Sequence, residues 1–155
     1  MLEIERKFLV ESNAFKKEAF NQLKIVQGFL NTAPERTVRV RLNGDKGFLT
    51  VKGKSNKSGT TRTEWEREIS LKDVENLLPL CEKGIIEKTR FEVNYYNYIF
   101  EIDVFRGENE GLIIAEIELS SEDEQFSRPS WLGKEVTGDV RYYNSQLSKN
   151  PFKNW

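Results

Sequence analysis

Leu2-Glu3-Ile4-Glu5-Arg6-Lys7-Phe8-Leu9-Val10 reads as one β-strand with two unlike faces. Side chains alternate across a strand, so residues two apart point the same way. Ile4, Phe8 and Val10 share a mostly apolar face, and Glu3, Glu5 and Lys7 share the other. Two carboxylates and an ammonium thus stand in a row, an arrangement that can hold a divalent metal beside an anionic oxygen.

The same division recurs along the chain. Period-2 segments bounded by turn residues predict eight strands, at roughly 2-10, 24-32, 37-43, 47-54, 61-69, 85-94, 97-106 and 112-120. Arg39 and Arg41 oppose aliphatics in Thr37-Val38-Arg39-Val40-Arg41-Leu42, and Lys52 shares a face with Thr50 and Phe48. Arg62, Glu64, Glu66 and Glu68 oppose Trp65 and Ile69. Lys88, Arg90 and Glu92 oppose Phe91 and Val93. Glu101 and Asp103 oppose Phe100, Ile102 and Val104, and Glu116 and Glu118 oppose Ala115, Ile117 and Leu119. Turns fall at Asn43-Gly44-Asp45-Lys46-Gly47, at the polar loop 53–59, at 94–97 and at 107–111. Helices are expected in the longer gaps. Phe15, Ala19 and Leu23 line up over 12-23, with Ser12 as cap. Leu71, Val74, Leu77 and Leu78 line up over 71-80, with Ser70 as cap and Asp73 completing an approximate capping box. A last helix is expected over about Asp139 to Leu147. Many strands and few helices favour a mainly β (α+β) fold, an antiparallel sheet that closes on itself and leaves no exposed edges.

Composition narrows the chemistry. A length of 155 residues suits a single domain over 1-155 with its own core. Charged residues make up 32%, above the usual quarter, so either the surface is heavily charged or charge lies inside. A net charge of -1 gives no reason to expect nucleic acid as a partner. No segment approaches a membrane span, and no apolar run of the signal-peptide kind is seen near residue 1, so a cytoplasmic location is expected. The single Cys81 cannot form an internal disulfide and reads as a buried structural thiol. Histidine is absent, which removes Ser-His-Asp and Cys-His catalysis. A metal would be held mostly by carboxylates, favouring magnesium, manganese or calcium over zinc.

Charged strand faces ordinarily meet water in an antiparallel sheet. Here the charged faces carry few small hydroxyl or amide residues. Acidic doublets (Glu3/Glu5, Glu101/Asp103, Glu116/Glu118) and basic doublets (Arg39/Arg41, Lys88/Arg90) fall on separate strands. Like charges two apart repel by of order 1 kcal/mol or less in water and by more where water is scarce. A bound cation would answer the acids and a bound polyanion the bases. With the charged faces turned inward the closed sheet becomes a polar channel, whose arginines would fork onto phosphate oxygens while Lys7, Lys52 and Lys88 act as point charges.

These residues also resemble a known family. Glu3-Ile4-Glu5-Arg6-Lys7 fits the Glu-x-Glu-x-Lys signature of the CYTH, or triphosphate tunnel metalloenzyme, superfamily. Arg39-x-Arg41, Lys52 in Thr50-Val51-Lys52-Gly53, Lys88-Thr89-Arg90, Glu101-Ile102-Asp103-Val104-Phe105 and Ala115-Glu116-Ile117-Glu118-Leu119 follow in the family's order, over nearly the whole chain. The length resembles the compact bacterial branch. The resemblance implies an eight-stranded antiparallel β-barrel tunnel with a charged lumen and a few flanking helices, binding a triphosphate-bearing substrate with Mg2+ or Mn2+. By the same resemblance Glu3, Glu5, Asp103, Glu116 and Glu118 are metal ligands. Lys7, Arg39, Arg41, Lys52, Lys88 and Arg90 form the phosphate cradle, and Glu64 is a luminal acid. Lys134 is a basic residue that helps to close the tunnel. Glu5, Lys7 and Lys88 stand closest to the chemistry, in-line attack of water on a terminal phosphoryl group. Family members are often homodimers.

Three functions fit this pattern: hydrolysis of inorganic triphosphate or its esters (thiamine triphosphate among them), adenylate cyclisation of the class IV type, and polyphosphate binding without turnover. The five carboxylates beside the anion argue against the last. No Gly-x-x-x-x-Gly-Lys loop is present, so a P-loop enzyme is not supported. Trp65, Tyr95, Tyr96 and Trp131 could stack on a substrate ring, although packing is the commoner role. One position departs from the family: short bacterial members often carry Tyr in a Gln-Gly-Tyr-Leu stretch, where this chain has Gln27-Gly28-Phe29-Leu30.

Overall fold

The computed structural model describes residues 1–155, and its period-2 segments pair into one antiparallel sheet. The strands are β1 (Leu2–Val10), β2 (Asn21–Asn31), β3 (Arg36–Asn43), β4 (Lys46–Gly53), β5 (Thr61–Ile69), β6 (Ile86–Tyr95), β7 (Tyr98–Phe105), β8 (Ile113–Glu118) and β9 (Leu132–Glu135). Eight of them form a ring in the order β5-β4-β3-β2-β6-β7-β8-β1, which closes where β1 meets β5. Closure is short: Leu2, Glu3 and Ile4 pair with Thr63, Arg62 and Thr61. Beyond it β1 leaves β5, and β9 takes its place beside Phe8 and Val10. The lumen is therefore surrounded by backbone pairing, as the alternating faces predict, while β9 is a ninth strand that the alternation does not announce.

Outside the ring, Phe8, Phe15, Phe91, Val93, Phe100, Ile102, Ile117 and Trp131 form the larger core. Phe15 comes from α1 (Phe15–Glu18), and Trp131 from the connection that covers β1, β6, β7 and β8. None of the four aromatics that could stack on a substrate ring borders the lumen, in keeping with the commoner packing role. Trp131 lies edge-on to Phe15 and Phe100 and donates to Glu18, Tyr95 packs on Tyr96, and Arg67 caps Trp65. Helix α2 (Leu71–Leu77) begins with Ser70 accepting from the Asp73 amide and runs into a 3-10 turn over Leu78–Leu80. Cys81, half-buried beside Gly28, has its thiol pKa pushed up by burial and by Glu82, consistent with a structural role. No helix is long and apolar enough to cross a membrane.

Two expected helices are corrected. Over 12-23 only Phe15–Glu18 is helical. Ala19 is extended, and β2 begins at Asn21 because residues 21–27 pair in register with β6. Seven registered pairs with a neighbour outweigh a three-turn helix held by one apolar stripe. The C-terminal helix is broken: a 3-10 turn over Val140–Tyr142 is followed by extended Tyr143 and then α3 (Asn144–Leu147). That break turns Tyr143 and Asn144 toward the barrel.

A second core lies at one end of the barrel, on the faces that otherwise carry charge. Ile86 precedes Lys88 and Arg90 on the same face of β6. Phe105 follows Glu101 and Asp103 on β7, and Ile114 precedes Glu116 and Glu118 on β8. These three pack with Phe29, Tyr142 and Leu147. The 140–147 segment thus stoppers that end with apolar side chains.

Candidate active site

A cavity of about 240 Å3 occupies the lumen, and only two of its 20 lining residues are hydrophobic. Every ring strand contributes, since alternation aims each second side chain inward. β1 supplies Glu3, Glu5 and Lys7; β3 supplies Thr37, Arg39 and Arg41; β4 supplies Thr50 and Lys52. Arg62, Glu64 and Glu66 come from β5, Lys88 and Arg90 from β6, Glu101 from β7, and Glu116 and Glu118 from β8. Phe29 comes from β2, and Tyr143, Asn144 and Ser145 from the stoppering segment.

The positive groups are crowded and incompletely answered. Burial, and then neighbouring Arg41, lower the Arg39 guanidinium to about 9. Burial and Arg90 lower Arg41 as well. Glu66 is their shared counter-ion, at 3.4 Å from Arg39 and 3.8 Å from Arg41. The Nε–H groups of both arginines are buried without any acceptor. Such groups are costly unless something with oxygen lone pairs meets them. Burial lowers Lys88 to about 8, with Arg90 adding to that effect and Asp103 opposing it.

The acids divide into three environments. Asp103 does not border the cavity. Its two oxygens take Arg90 Nε and Nη2 at 2.8 and 2.9 Å, and Lys88 Nζ lies at 2.8 Å. Burial would raise its pKa, but these cations outweigh burial and lower it. Glu3 receives Lys52 Nζ at 2.9 and 3.0 Å and lies 3.5 Å from Arg62. Burial opposes ionisation there too, yet Lys52, hydrogen bonds from Glu64 and Lys52, and Arg62 hold it at about 2. Glu5 is the opposite case. Burial, then Glu116 and Glu3, raise it well above the carboxylate range. Its partner Glu116 is pushed down, because Lys7, the Glu5 hydrogen bond, Arg90 and Lys88 outweigh its burial. The opposite shifts of Glu5 and Glu116 are the usual outcome for two close carboxylates. Glu118 stands opposite Glu5 across β1–β8, and Glu101 opposite Glu116 across β7–β8.

Asp103 is thus a buried counter-ion that sets the direction of Lys88 and Arg90. Asp103→Asn should destabilise the protein by about 3 kcal/mol, since it leaves two buried cations short of their charge partner. Thermal denaturation would then show a midpoint about 6–12 °C lower; a shift below 2 °C would contradict that role.

Of the residues expected to face the substrate, Lys7, Arg39, Arg41, Lys52, Glu64, Lys88 and Arg90 all line the cavity. Lys134 does not. It is exposed on β9, which flanks β1 outside the ring of eight. Among the expected metal ligands Glu3, Glu5, Glu116 and Glu118 line the cavity, and Asp103 lies behind it. Tyr143, Asn144 and Ser145 are lining residues that the sequence reading misses. The ring of Tyr143 receives Lys7 at 4.9 Å and Arg62 at 5.6 Å. Asn144 Oδ1 accepts from Gln27 Nε2 and Lys88 Nζ, each at 2.9 Å. Only the extended backbone at Tyr143 reveals them, and nothing in a short helical pattern signals such a break.

Comparison with known proteins agrees with this architecture. The chain is 49% identical over 154 residues to an inorganic triphosphatase of Acetivibrio thermocellus, covering 99% of this chain and 97% of that one. It is 38% identical over 152 residues to an inorganic triphosphatase of Nitrosomonas europaea, covering 96% of this chain and 97% of the other. The crystal structure of the inorganic triphosphatase NE1496 superposes with a TM-score of 0.68 at 35% identity, over 94% of this chain and 93% of that one. The CYTH domain model matches residues 1–149. With the signature residues converging on one charged lumen, the chain belongs to the CYTH domain family.

Proposed function

We propose that this chain is a metal-dependent triphosphatase that cleaves inorganic triphosphate to orthophosphate and pyrophosphate inside the barrel. The observation that carries this reading is the pair Arg39 and Arg41, buried together with unpartnered Nε–H groups on a wall they share with Lys52, Lys88 and Arg90. A linear polyanion is the ligand whose oxygens answer so many cations at once. The relatives described as inorganic triphosphatases support the same substrate. Only two of the 20 residues lining the lumen are hydrophobic, which favours the inorganic substrate over a nucleotide.

No three carboxylates stand close enough in this structure to hold a metal ion together, so the case for a hard divalent cation rests on the chemistry of the donors. Glu5 and Glu116 border one cavity, Glu118 pairs across from Glu5, and Glu101 pairs across from Glu116. An all-carboxylate set suits Mg2+ or Mn2+. Glu5, Glu116 and Glu118 would hold the ion, which supplies charge neutralisation at the phosphate oxygens when bound. Glu3 is better read as the counter-ion of Lys52 and Arg62.

The chain's own groups do the rest. Arg39 and Arg41 grip non-bridging oxygens from β3, while Lys52, Lys88, Arg90 and Lys7 surround the chain of phosphates from β4, β6 and β1. Water attacks a terminal phosphorus in line, the P–O–P bond breaks, and pyrophosphate leaves with the electron pair. Glu5, when ionised, offers a carboxylate that orients the attacking water, whose protons end on the phosphate products. The fixed cations stabilise the charge spread over the equatorial oxygens. Tripolyphosphate incubated with Mg2+ or Mn2+ should yield equal amounts of orthophosphate and pyrophosphate, and ATP should yield no cyclic AMP. Folded protein that releases no phosphate with either metal would reject the reading.

A further inference from the structure

We propose that Asn144 reads the end of the substrate: its Nδ2 group donates to a terminal phosphoryl oxygen at the stoppered end of the lumen. The proposal rests on the triphosphatase reading above and assigns a contact to a residue outside the signature. Asn144 stands where the apolar layer of Phe29, Ile86, Phe105 and Leu147 gives way to the cationic lumen. Its amide is oriented from two sides. Oδ1 accepts from Gln27 Nε2 and from Lys88 Nζ, both at 2.9 Å. Both donors are held in place. Gln27 is fully buried on β2, and Lys88 is pinned to Asp103 at 2.8 Å. With Oδ1 committed, Nδ2 projects to the other side of the amide plane. There it makes no hydrogen bond within the protein, and it is not among the buried polar atoms left without a partner. It is thus an open donor on the wall of an anion-binding cavity.

The arrangement selects by chemistry. An amide N–H donates to any phosphoryl oxygen but adds no charge to a region already crowded with cations. A terminal phosphate, with three non-bridging oxygens, can meet Lys88 and Asn144 together. A bulky ester group at the same end would run into Phe29 and the apolar layer behind it. Beside Asn144 the lumen therefore favours a free terminal phosphate over an esterified one.

Asn144→Asp separates this role from a structural one. Aspartate keeps an oxygen for Gln27 and Lys88, so the anchor of Lys88 survives, while the donor is exchanged for an acceptor that also carries a negative charge; the neutral serine variant below separates the two. Tripolyphosphate hydrolysis would be followed with Mg2+ or Mn2+, and tripolyphosphate binding by calorimetry without metal. The expected result is a KM raised about 10- to 100-fold, a dissociation constant raised to match, and a kcat changed much less. Asn144→Ser, which shortens the side chain without adding charge, should shift KM in the same direction by about 10-fold; it decides the matter if the aspartate variant does not fold. Unchanged KM and binding in the folded variants overturn the proposal, as does a loss confined to kcat. A wild-type chain that binds tripolyphosphate without cleaving it would reject the triphosphatase reading while the binding ratio still tests Asn144. Wild-type protein that neither binds nor cleaves overturns both.

Discussion

Arg39→Met should lower kcat/KM for tripolyphosphate by about 10^3-fold, and the same change should make the ligand-free protein more stable. Both effects have one origin. Arg39 is held beside Arg41 with its Nε–H unpartnered, and burial followed by Arg41 lowers its pKa to about 9. A cation whose pKa is lowered by folding destabilises the folded state, fully so below the folded value. The penalty fades as pH rises above about 9 toward the unfolded value, because the unfolded chain then binds more protons. Methionine keeps most of the stem packing and removes the charge. The melting midpoint of the variant without ligand should exceed wild type by a few degrees at pH 7, and the gap should narrow at pH 10. Tripolyphosphate should reverse the order by stabilising wild type far more than the variant. A variant that is less stable than wild type at pH 7 without ligand would contradict this account of Arg39.

The second large effect falls on Glu5. Glu5→Gln should reduce metal-dependent turnover by about 10^3-fold or more while leaving the fold intact. In the ligand-free protein burial, then Glu116 and Glu3, raise the pKa of Glu5, and a glutamine amide resembles the neutral carboxylic acid in shape and charge. The sign of the stability change follows from the raised pKa. A carboxyl group whose pKa is raised by folding has its penalty absent below the unfolded value, near 4.5. The penalty grows as pH rises from there toward the folded value. The variant should therefore match wild type near pH 4 and become relatively more stable as pH rises. Added Mn2+ or Mg2+ should raise the midpoint of wild type and leave that of the variant nearly unmoved. Retained turnover in Glu5→Gln would mean that the Glu5–Glu116 pair has been misassigned.

The barrel was legible because its strands are chemically two-sided. Arg39 and Arg41 alternate with Val38, Val40 and Leu42, and Glu116 and Glu118 with Ala115 and Ile117, so strand, face and lumen follow from one period. Glu3, Glu5, Lys7, Arg39, Arg41, Lys52, Lys88 and Arg90 reach the lumen for that reason. The pattern fails where position along the strand matters more than parity. Asp103 has the same parity as Glu101, yet Lys88 and Arg90 claim it behind the cavity wall. Ile86, Phe105 and Ile114 share faces with charged residues and form an apolar layer at one end, because Tyr142 and Leu147 reach in to cover them. Residues 12-23 carry a helical stripe, but β6 offers the backbone of 21–27 a full ladder. Asn144 is visible only after the C-terminal segment has been folded against the barrel.

The closure of the ring carries a consequence for how the protein is made. β1 finds its partners at residues 61–63, 114–118 and 132–135, all distant in the chain. Its pairing is the most non-local in the molecule, and loop-closure entropy makes such contacts late and slow. On a ribosome, hairpins such as β3–β4 and β6–β7 can form as they emerge, while the first strand synthesised waits for nearly the last. Glu3, Glu5 and Lys7 are therefore expected among the last side chains to enter the lumen. Until β1 docks, the arginines and lysines of β3, β4 and β6 can attract polyphosphate while Glu5 is not yet in place to let the chain cut. Nascent protein would then bind its substrate before it could consume it.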